Sequence, residues 1–368
     1  GRAVLLLSTI TGLPTPVSAH ADTEWQAAHE AEIDRGMVDW IAGLPSVGPL
    51  PKRLGCSPPV SSVSWQDYAG VPRNQGNCGS CYVFGTVGLL EVQRAVDCCD
   101  DNFRAEGRCL CDVGVPGCVA GALRDASTAC PWSAEPGQLH LAAQVPLECS
   151  QEGYDEGCLE GEAWKVVEFL AAVGTTYEAI ERYEFPPGDR TAFTRFGYGR
   201  YDPPFPNICP LLDRAPYNGV CDLEDRVAGA PTEYPPLDFF RFSPVNPGSG
   251  DPTAFYNMVG AGLSFDNPRP LLEKLCEGYV IGLQVPAHTV IIVGYTGYEP
   301  ARLDGLTLVV RDSAGDFAGE LQRERHDAAS SRYWSSVRED RVFLAAGTTV
   351  ARGCPDDWLT NPARDADG

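Results

Sequence analysis

The chain has 368 residues, 43% hydrophobic and 21% charged, enough apolar side chain to bury one large core or two moderate ones. Fifty acidic against 28 basic residues give a formal charge of −22, which opposes nucleic acid and anionic membrane surfaces. Fifteen cysteines are too many for reactive thiols alone and point to an oxidising compartment, while their odd count leaves one thiol outside any set of pairs.

In chain order, Arg2 precedes the apolar run Val4 to Ile10, and the small residues Val17-Ser18-Ala19 stand before His20. Residues 1–19 therefore read as a signal peptide. No later stretch is long and apolar enough to span a membrane. Trp25, Ile33, Met37, Val38, Trp40 and Ile41 fall at mostly helical spacing, and a Pro/Gly-punctuated linker runs on to Pro58-Pro59. That pattern predicts a small helix and an exposed linker, so residues 20–57 form a removable segment. The main domain then spans 58–358, with a tail at 359–368.

The apolar side Val83, Phe84, Val87, Leu90 and Val92 predicts one helix over 80–96. Six cysteines between 97 and 130 (Cys98, Cys99, Cys109, Cys111, Cys118, Cys130) predict a disulfide-stapled insertion, placed at about 97–138. Zinc is the sharper alternative there, but the cysteines lack paired C-x-x-C spacing and no histidine accompanies them. A second helix is predicted over 161–173. Residues 185–260, rich in Pro and Gly, read as long surface connections. β-Branched runs at 279–285, 288–295 and 306–311 predict strands. Helices first and strands later give an α+β chain.

Among candidate chemistry, Asn74-Gln75-Gly76-Asn77-Cys78-Gly79-Ser80-Cys81-Tyr82 places the Cys81 thiol where a glycine-containing turn enters a helix. Helix dipole and unpaired N–H groups favour a thiolate there. A redox pair with Cys78 and a plain disulfide cysteine are the other readings. A thiolate nucleophile needs a base, and His288 opens the strand His288-Thr289-Val290-Ile291-Ile292-Val293-Gly294-Tyr295, a rigid element able to hold an imidazole. The following strand ends in Arg311-Asp312-Ser313-Ala314-Gly315, which supplies a carboxylate.

These segments resemble the C-G-[SA]-C-[WY], H-A-V-x-x-V-G-Y and N-S-W-G-x-x-W-G-E runs of the papain-like cysteine peptidases. Leu141 to Ser150 and Gly157-Cys158-Leu159-Glu160-Gly161 are similar to two further family segments, and residues 25–29 and 52–55 resemble the short propeptide of cathepsin B. The resemblance implies a two-lobed α+β fold, with a helical lobe bearing Cys81 and a β-barrel-like lobe bearing His288 and Asp312. It implies Cys81 as nucleophile, His288 as base, Asp312 as orienter of the imidazole, and Gln75 as oxyanion-hole donor. Gly79, Ser80, Glu160 and Gly161 would line the substrate groove, Glu160 favouring basic side chains. Cys78 would pair with Cys158, and Cys149 would join the disulfide framework.

Asp312 stands where the family has Asn, and Ala314 and Ala318 where it has tryptophans. A carboxylate also accepts the imidazole N–H, but loss of the shielding indole is expected to wet and weaken that bond. Residues 185–260 contain no histidine, hence no two-histidine occluding loop, and this favours endopeptidase action. The resemblance implies no metal or organic cofactor, peptide or protein substrates, a monomer, and a secreted or lysosomal/vacuolar setting. No N-x-[ST] sequon is present. The competing expectation is a catalytically impaired protein of the same fold that binds partners through its Cys-rich insertion. Acyl transfer to an amine would use the same residues.

Overall fold

The computed structural model describes residues 19–47, 59–70, 72–76, 78–99, 139–149, 161–172, 174–175, 178, 238–243, 254–314, 317, 319–327 and 332–352. The helices are α1 (Ala19–Gly43), α2 (Gln66–Ala69), α3 (Cys81–Cys99), α4 (Gln144–Cys149), α5 (Ala163–Ala172) and α6 (Arg269–Cys276). The strands are β1 (Val63–Ser64), β2 (Asp238–Ser243), β3 (Phe255–Asn257), β4 (Ile281–Val285), β5 (His288–Thr296), β6 (Thr307–Arg311), β7 (Gln322–Arg325), β8 (Val342–Ala345) and β9 (Gly347–Arg352). The result is a mixed helix and antiparallel sheet fold, with the helix over 80–96 and the three C-terminal runs close to their expected places.

The main sheet has the order β3-β8-β4-β5-β6-β7, with β1 paired to β5 at Val63↔Tyr295 and Ser64↔Gly294. Strand alternation decides which face each side chain serves. Ile291, Val293, Val309, Phe343 and Ala345 join one buried cluster with α3 and α5, while Val290, Ile292, Leu308, Val310, Val342 and Leu344 join another with α6. Covered on both sides, β4 and β5 read as nearly continuous apolar runs. A bulge between Ile292 and Gly294 shifts the β5–β6 register, which is why Tyr295 lies with Ile292 and not with Val293. Gly294 is needed beside it, since a Cβ there would stand 2.5 Å from the Val63 carbonyl oxygen.

The expected barrel-like closure is corrected: among the described residues the sheet is open, with β3 and β7 at its ends. One end is covered by the segment after α1, where Ser46 bridges Asn257 and the Val47 N–H donates to the Asn257 carbonyl at 2.9 Å. At the other, β7 alternates half-buried and exposed residues with Arg323 and Arg325 facing out; charge of this kind discourages further pairing. The reading of 185–260 as surface connections is also corrected in part. β2 pairs with β9 from Asp238↔Arg352 to Ser243↔Gly347, and Phe240, Phe242, Phe255 and Tyr256 are buried. Their Phe-x-Phe alternation is short and embedded in Pro-rich flanks, so periodicity over a long window misses it.

α1 is built into this core. Its Trp40 meets Phe343 edge-on at 5.6 Å and Phe255 at 5.9 Å, and Met37 and Ile41 are fully buried. Asn257 Nδ2 donates to the carbonyls of Ile41 and Leu44, each at 2.7 Å, tying the helix end to β3. Arg341 forks onto Asp34 at 2.6 and 2.7 Å.

α3 approaches the sheet closely because two of its residues lack side chains. A Cβ on Gly85 would lie 2.8 Å from the Thr289 carbonyl oxygen, and one on Gly88 would lie 2.4 Å from Arg311 Nη1 and 2.6 Å from Ile291 Cδ1. Helix propensity favours Ala over Gly by about 1 kcal/mol, whereas overpacking against an immovable backbone costs roughly 1–3 kcal/mol or more. Gly85→Ala is therefore expected to lower the urea midpoint despite its better propensity; a raised midpoint would show that the helix is not seated as described.

Candidate active site

Cys81 is the first residue of α3, and the Ser80 carbonyl accepts the N–H groups of Val83 and Phe84, each at 3.0 Å. The thiol thus sits at the positive end of a 19-residue helix. Cys81 is a free, partly exposed thiol, whereas Cys78 and Cys276 are disulfide-bonded. A redox pairing of Cys78 with Cys81 does not occur.

β4 turns into β5 through only Pro286 and Ala287, with Val285 paired to His288. Pro pre-sets the first turn position, and Ala287 takes the second at φ 52°, a left-handed conformation that costs a non-glycine residue about 1 kcal/mol. This tight turn faces the helix start: the Cys81 Sγ contacts the Ala287 carbonyl at 3.8 Å. His288 Nε2 lies 2.7 Å from Asp312 Oδ1, and the imidazole lines the same cavity as the Cys81 thiol. Sulfur, imidazole and carboxylate are thus brought to one place, with a hydrogen bond joining the last two. The His288 side chain is 9% exposed and that of Asp312 is 0% exposed.

Burial opposes charge on His288, but the charge of Cys81 and the hydrogen bonds to Asp312 and Cys81 outweigh it and push its pKa up to about 10. Burial likewise acts to raise Asp312. The His288 hydrogen bond and charge, with donors from Ala314 N–H and the Tyr333 hydroxyl, prevail and hold it below its ordinary value. The expected wetting of the His288–Asp312 bond is therefore corrected. Although Ala314 offers no ring, the buried Tyr333 stands beside Asp312, its Oη donating to Asp312 Oδ2 at 2.7 Å.

The Gln75 backbone N–H donates to the Ser313 carbonyl at 3.3 Å, and its side-chain oxygen accepts from Ser313 Oγ at 3.0 Å. Its amide nitrogen donates to the Cys78 carbonyl at 3.0 Å. Gln75 is thus joined to both the nucleophile turn and the end of β6. Ser80 is fully buried and Gly79 is half-buried. Gly161 borders the same cavity as Cys81 and His288. Glu160 and Cys158, and so the Cys78–Cys158 pairing, lie outside the described residues; of the Cys-rich insertion expected at about 97–138, residues 97–99 instead continue α3 and 100–138 lie outside the described residues, while Cys149 ends α4.

Two further features were not anticipated. On α1, Ile33 and Met37 form part of the wall of the cavity that holds Cys81 and His288. Beneath the site, the buried Glu91 carboxylate of α3 binds Arg73 at 2.6 Å, Arg311 at 2.7 Å and the Leu141 N–H at 2.7 Å. Arg73 is two residues from Gln75, and Arg311 adjoins Asp312. Charged residues interrupting the apolar runs Gly88-Leu89-Leu90-Glu91-Val92 and Leu308-Val309-Val310-Arg311 were the available signal.

No protein-family model matches the chain, and no curated protein matches it. Among solved structures, a digestive procathepsin L 3 from the larval midgut of Tenebrio molitor aligns over 89% of this chain and 89% of its own, with a TM-score of 0.42 and 14% identity. A recombinant stem bromelain precursor aligns over 88% of this chain and 92% of its own, with a TM-score of 0.41 and 13% identity. So loose a likeness adds no weight to the site geometry.

Burial acts to raise the pKa of Glu91, but Arg73, Arg311, His140 and the Leu141 N–H together hold it below 4.5. A depressed carboxylate contributes stability that is fully present above its unfolded pKa and lost as pH falls through the folded one. Glu91→Gln leaves the buried Arg311 guanidinium without its carboxylate and takes one of two carboxylates from the half-buried Arg73, so it is expected to cost roughly 3–5 kcal/mol at neutral pH. It is also expected to flatten the acid side of the stability profile, measured by urea unfolding at neutral and acid pH.

Proposed function

We propose that this chain is a papain-like cysteine peptidase precursor that hydrolyses peptide bonds, with substrate held in a cleft between a lobe bearing α3 and a lobe bearing β4–β6. The reading rests above all on the Cys81–His288–Asp312 chain at a helix start. The Cys81 thiolate attacks the peptide carbonyl carbon, forming a C–S bond, while Gln75 and backbone N–H groups receive the developing oxyanion. The C–N bond then breaks, and the His288 imidazolium gives its proton to the leaving amine. Water, deprotonated by neutral His288, attacks the thioester; C–S cleavage releases the carboxylic acid product and restores the ion pair. Asp312 keeps the imidazole oriented and supports its charge. Endopeptidase action on protein substrates fits the absence of histidine from 185–260. The acidic, cysteine-rich composition and the signal-peptide-like start fit a secreted or lysosomal/vacuolar enzyme. Among the described residues no helix is long and apolar enough to cross a membrane.

In the intact chain α1 stands over this site, with Ile33 and Met37 against Cys81 and His288. The chain as folded is thus a zymogen, made competent when the segment before residue 58 is removed.

Reaction with a vinyl-sulfone or epoxide thiol probe is the deciding experiment. The processed protein should label at Cys81 and cleave peptides, Cys81→Ala should do neither, and absence of labelling from acid to alkaline pH would leave only a non-catalytic protein of the same fold. Met37→Asp buries an unpaired carboxylate under α1 and should raise the labelling rate of the uncut chain. Because the His288 pKa is raised, its imidazolium persists through neutral pH, and kcat/KM should fall on the alkaline side only as pH nears about 10. An alkaline limb at the ordinary imidazole value would contradict the ion pair.

A further inference from the structure

We propose that Tyr333 is a positioning residue of this site: its hydroxyl fixes the Asp312 carboxylate so that the opposite oxygen is aimed at His288 Nε2. The inference rests on the peptidase reading for its consequence in catalysis, although its geometry stands without it. A carboxylate offers two oxygens. Asp312 Oδ1 accepts from His288 Nε2 at 2.7 Å and from the Ala314 N–H at 2.8 Å. Oδ2 accepts the Tyr333 hydroxyl at 2.7 Å in a fully buried setting. Without that donor, Oδ2 is a charged, buried oxygen facing only the exposed Arg332 guanidinium at 3.6 Å, and the carboxylate either rotates or binds a proton.

Tyr333 is itself held by an arrangement separate from the catalytic chain. The Glu324 carboxylate of β7 accepts the backbone N–H groups of Arg332, of Tyr333 at 2.8 Å and of Trp334 at 2.9 Å. Trp334 Nε1 donates to the Glu324 carbonyl at 3.1 Å. One side chain thus sets the turn from which the phenol reaches Asp312. Burial and the negative charge of Asp312 both push the Tyr333 phenol upward, so it remains an O–H donor across the working pH range.

Among the described residues the groups facing Asp312 are few. From β5 comes His288, and through it Cys81 of α3. From the turn after β7 come Tyr333 and Arg332, whose Nη2 is 3.6 Å from Asp312 Oδ2 and whose guanidinium lies 4.4 Å over the Phe317 ring. Glu324 opposes them behind Tyr333. The neighbouring Arg311 points the other way, into Glu91.

The test follows the nitrogen-15 signal of His288 Nε2 in the full chain, where protonation of Asp312 appears as a step on the acid side. Tyr333→Phe keeps the ring and removes one O–H; the step should move to higher pH by about one unit or more, and in the processed enzyme the acid limb of kcat/KM should move with it. Site-specific Tyr333→3-fluorotyrosine keeps the shape and strengthens the donor, so the step should move to lower pH. That second variant alone decides the matter if Tyr333→Phe does not fold. Steps that stay put in the folded variants overturn the proposal. A moved step in a chain that never cleaves peptide sinks the peptidase reading and leaves this one, whereas an unmoved step in an active enzyme sinks this one alone.

Discussion

The ion cluster around Glu91 is the constraint on which the site depends. Placing a carboxylate in the core costs several kcal/mol in lost hydration, so it is tolerable only where cations and N–H groups meet it in good geometry. Here the partners are Arg73, Arg311 and the Leu141 N–H. Arg73 also reaches the Leu141 carbonyl at 2.8 Å and Glu178 at 2.7 Å. Each partner belongs to a different part of the site. Glu91 lies on the helix that begins with Cys81, Arg73 lies on the segment of Gln75, and Arg311 lies on the strand ending at Asp312. Gln75 links the same segments beside the sulfur; deeper in the core the buried charge holds them, because any displacement leaves it uncompensated.

Strand geometry then divides the labour along β6. Successive side chains point to opposite faces, so Arg311 reaches toward α3 and Glu91 while Asp312, the next residue, reaches toward His288 and Tyr333. Were both to face one way, Arg311 and Asp312 would pair with each other and leave Glu91 and His288 without their partners. Here each neutralises a charge of the opposite sign on its own side.

Local signals in the sequence were sufficient to single out Cys81 and His288. A thiol at a glycine turn before a helix and a histidine at the head of a β-branched run are both short-range patterns, and the structure sets them together. Asp312 was legible as an acceptor, but its protection was not. Tyr333 lies 21 residues away in a turn without periodicity, and nothing in that turn's own sequence indicates where its hydroxyl points. Likewise Glu91 and Arg311 could be seen as misplaced charges in apolar runs, yet their pairing spans two distant elements. The open sheet ends and the β2–β9 ribbon were hidden for a related reason: pairing between remote short strands is a property of the folded chain, and no window of sequence contains both partners.

Trp40, Met37 and Ile41 make α1 a working part of the same apolar interior that supports β3 and β8. Severing the covalent connection between residues 43 and 59 would therefore leave a two-piece complex, with the helix retained by its own contacts and by the Asp34–Arg341 fork. Peeling it off uncovers the rings of Phe255 and Phe343 to water, an expense that nicking does nothing to lower. Opening of the cavity beside Cys81 would then depend on dissociation of the two pieces, an equilibrium sensitive to dilution and to digestion of the freed helix, and would lag behind the cut.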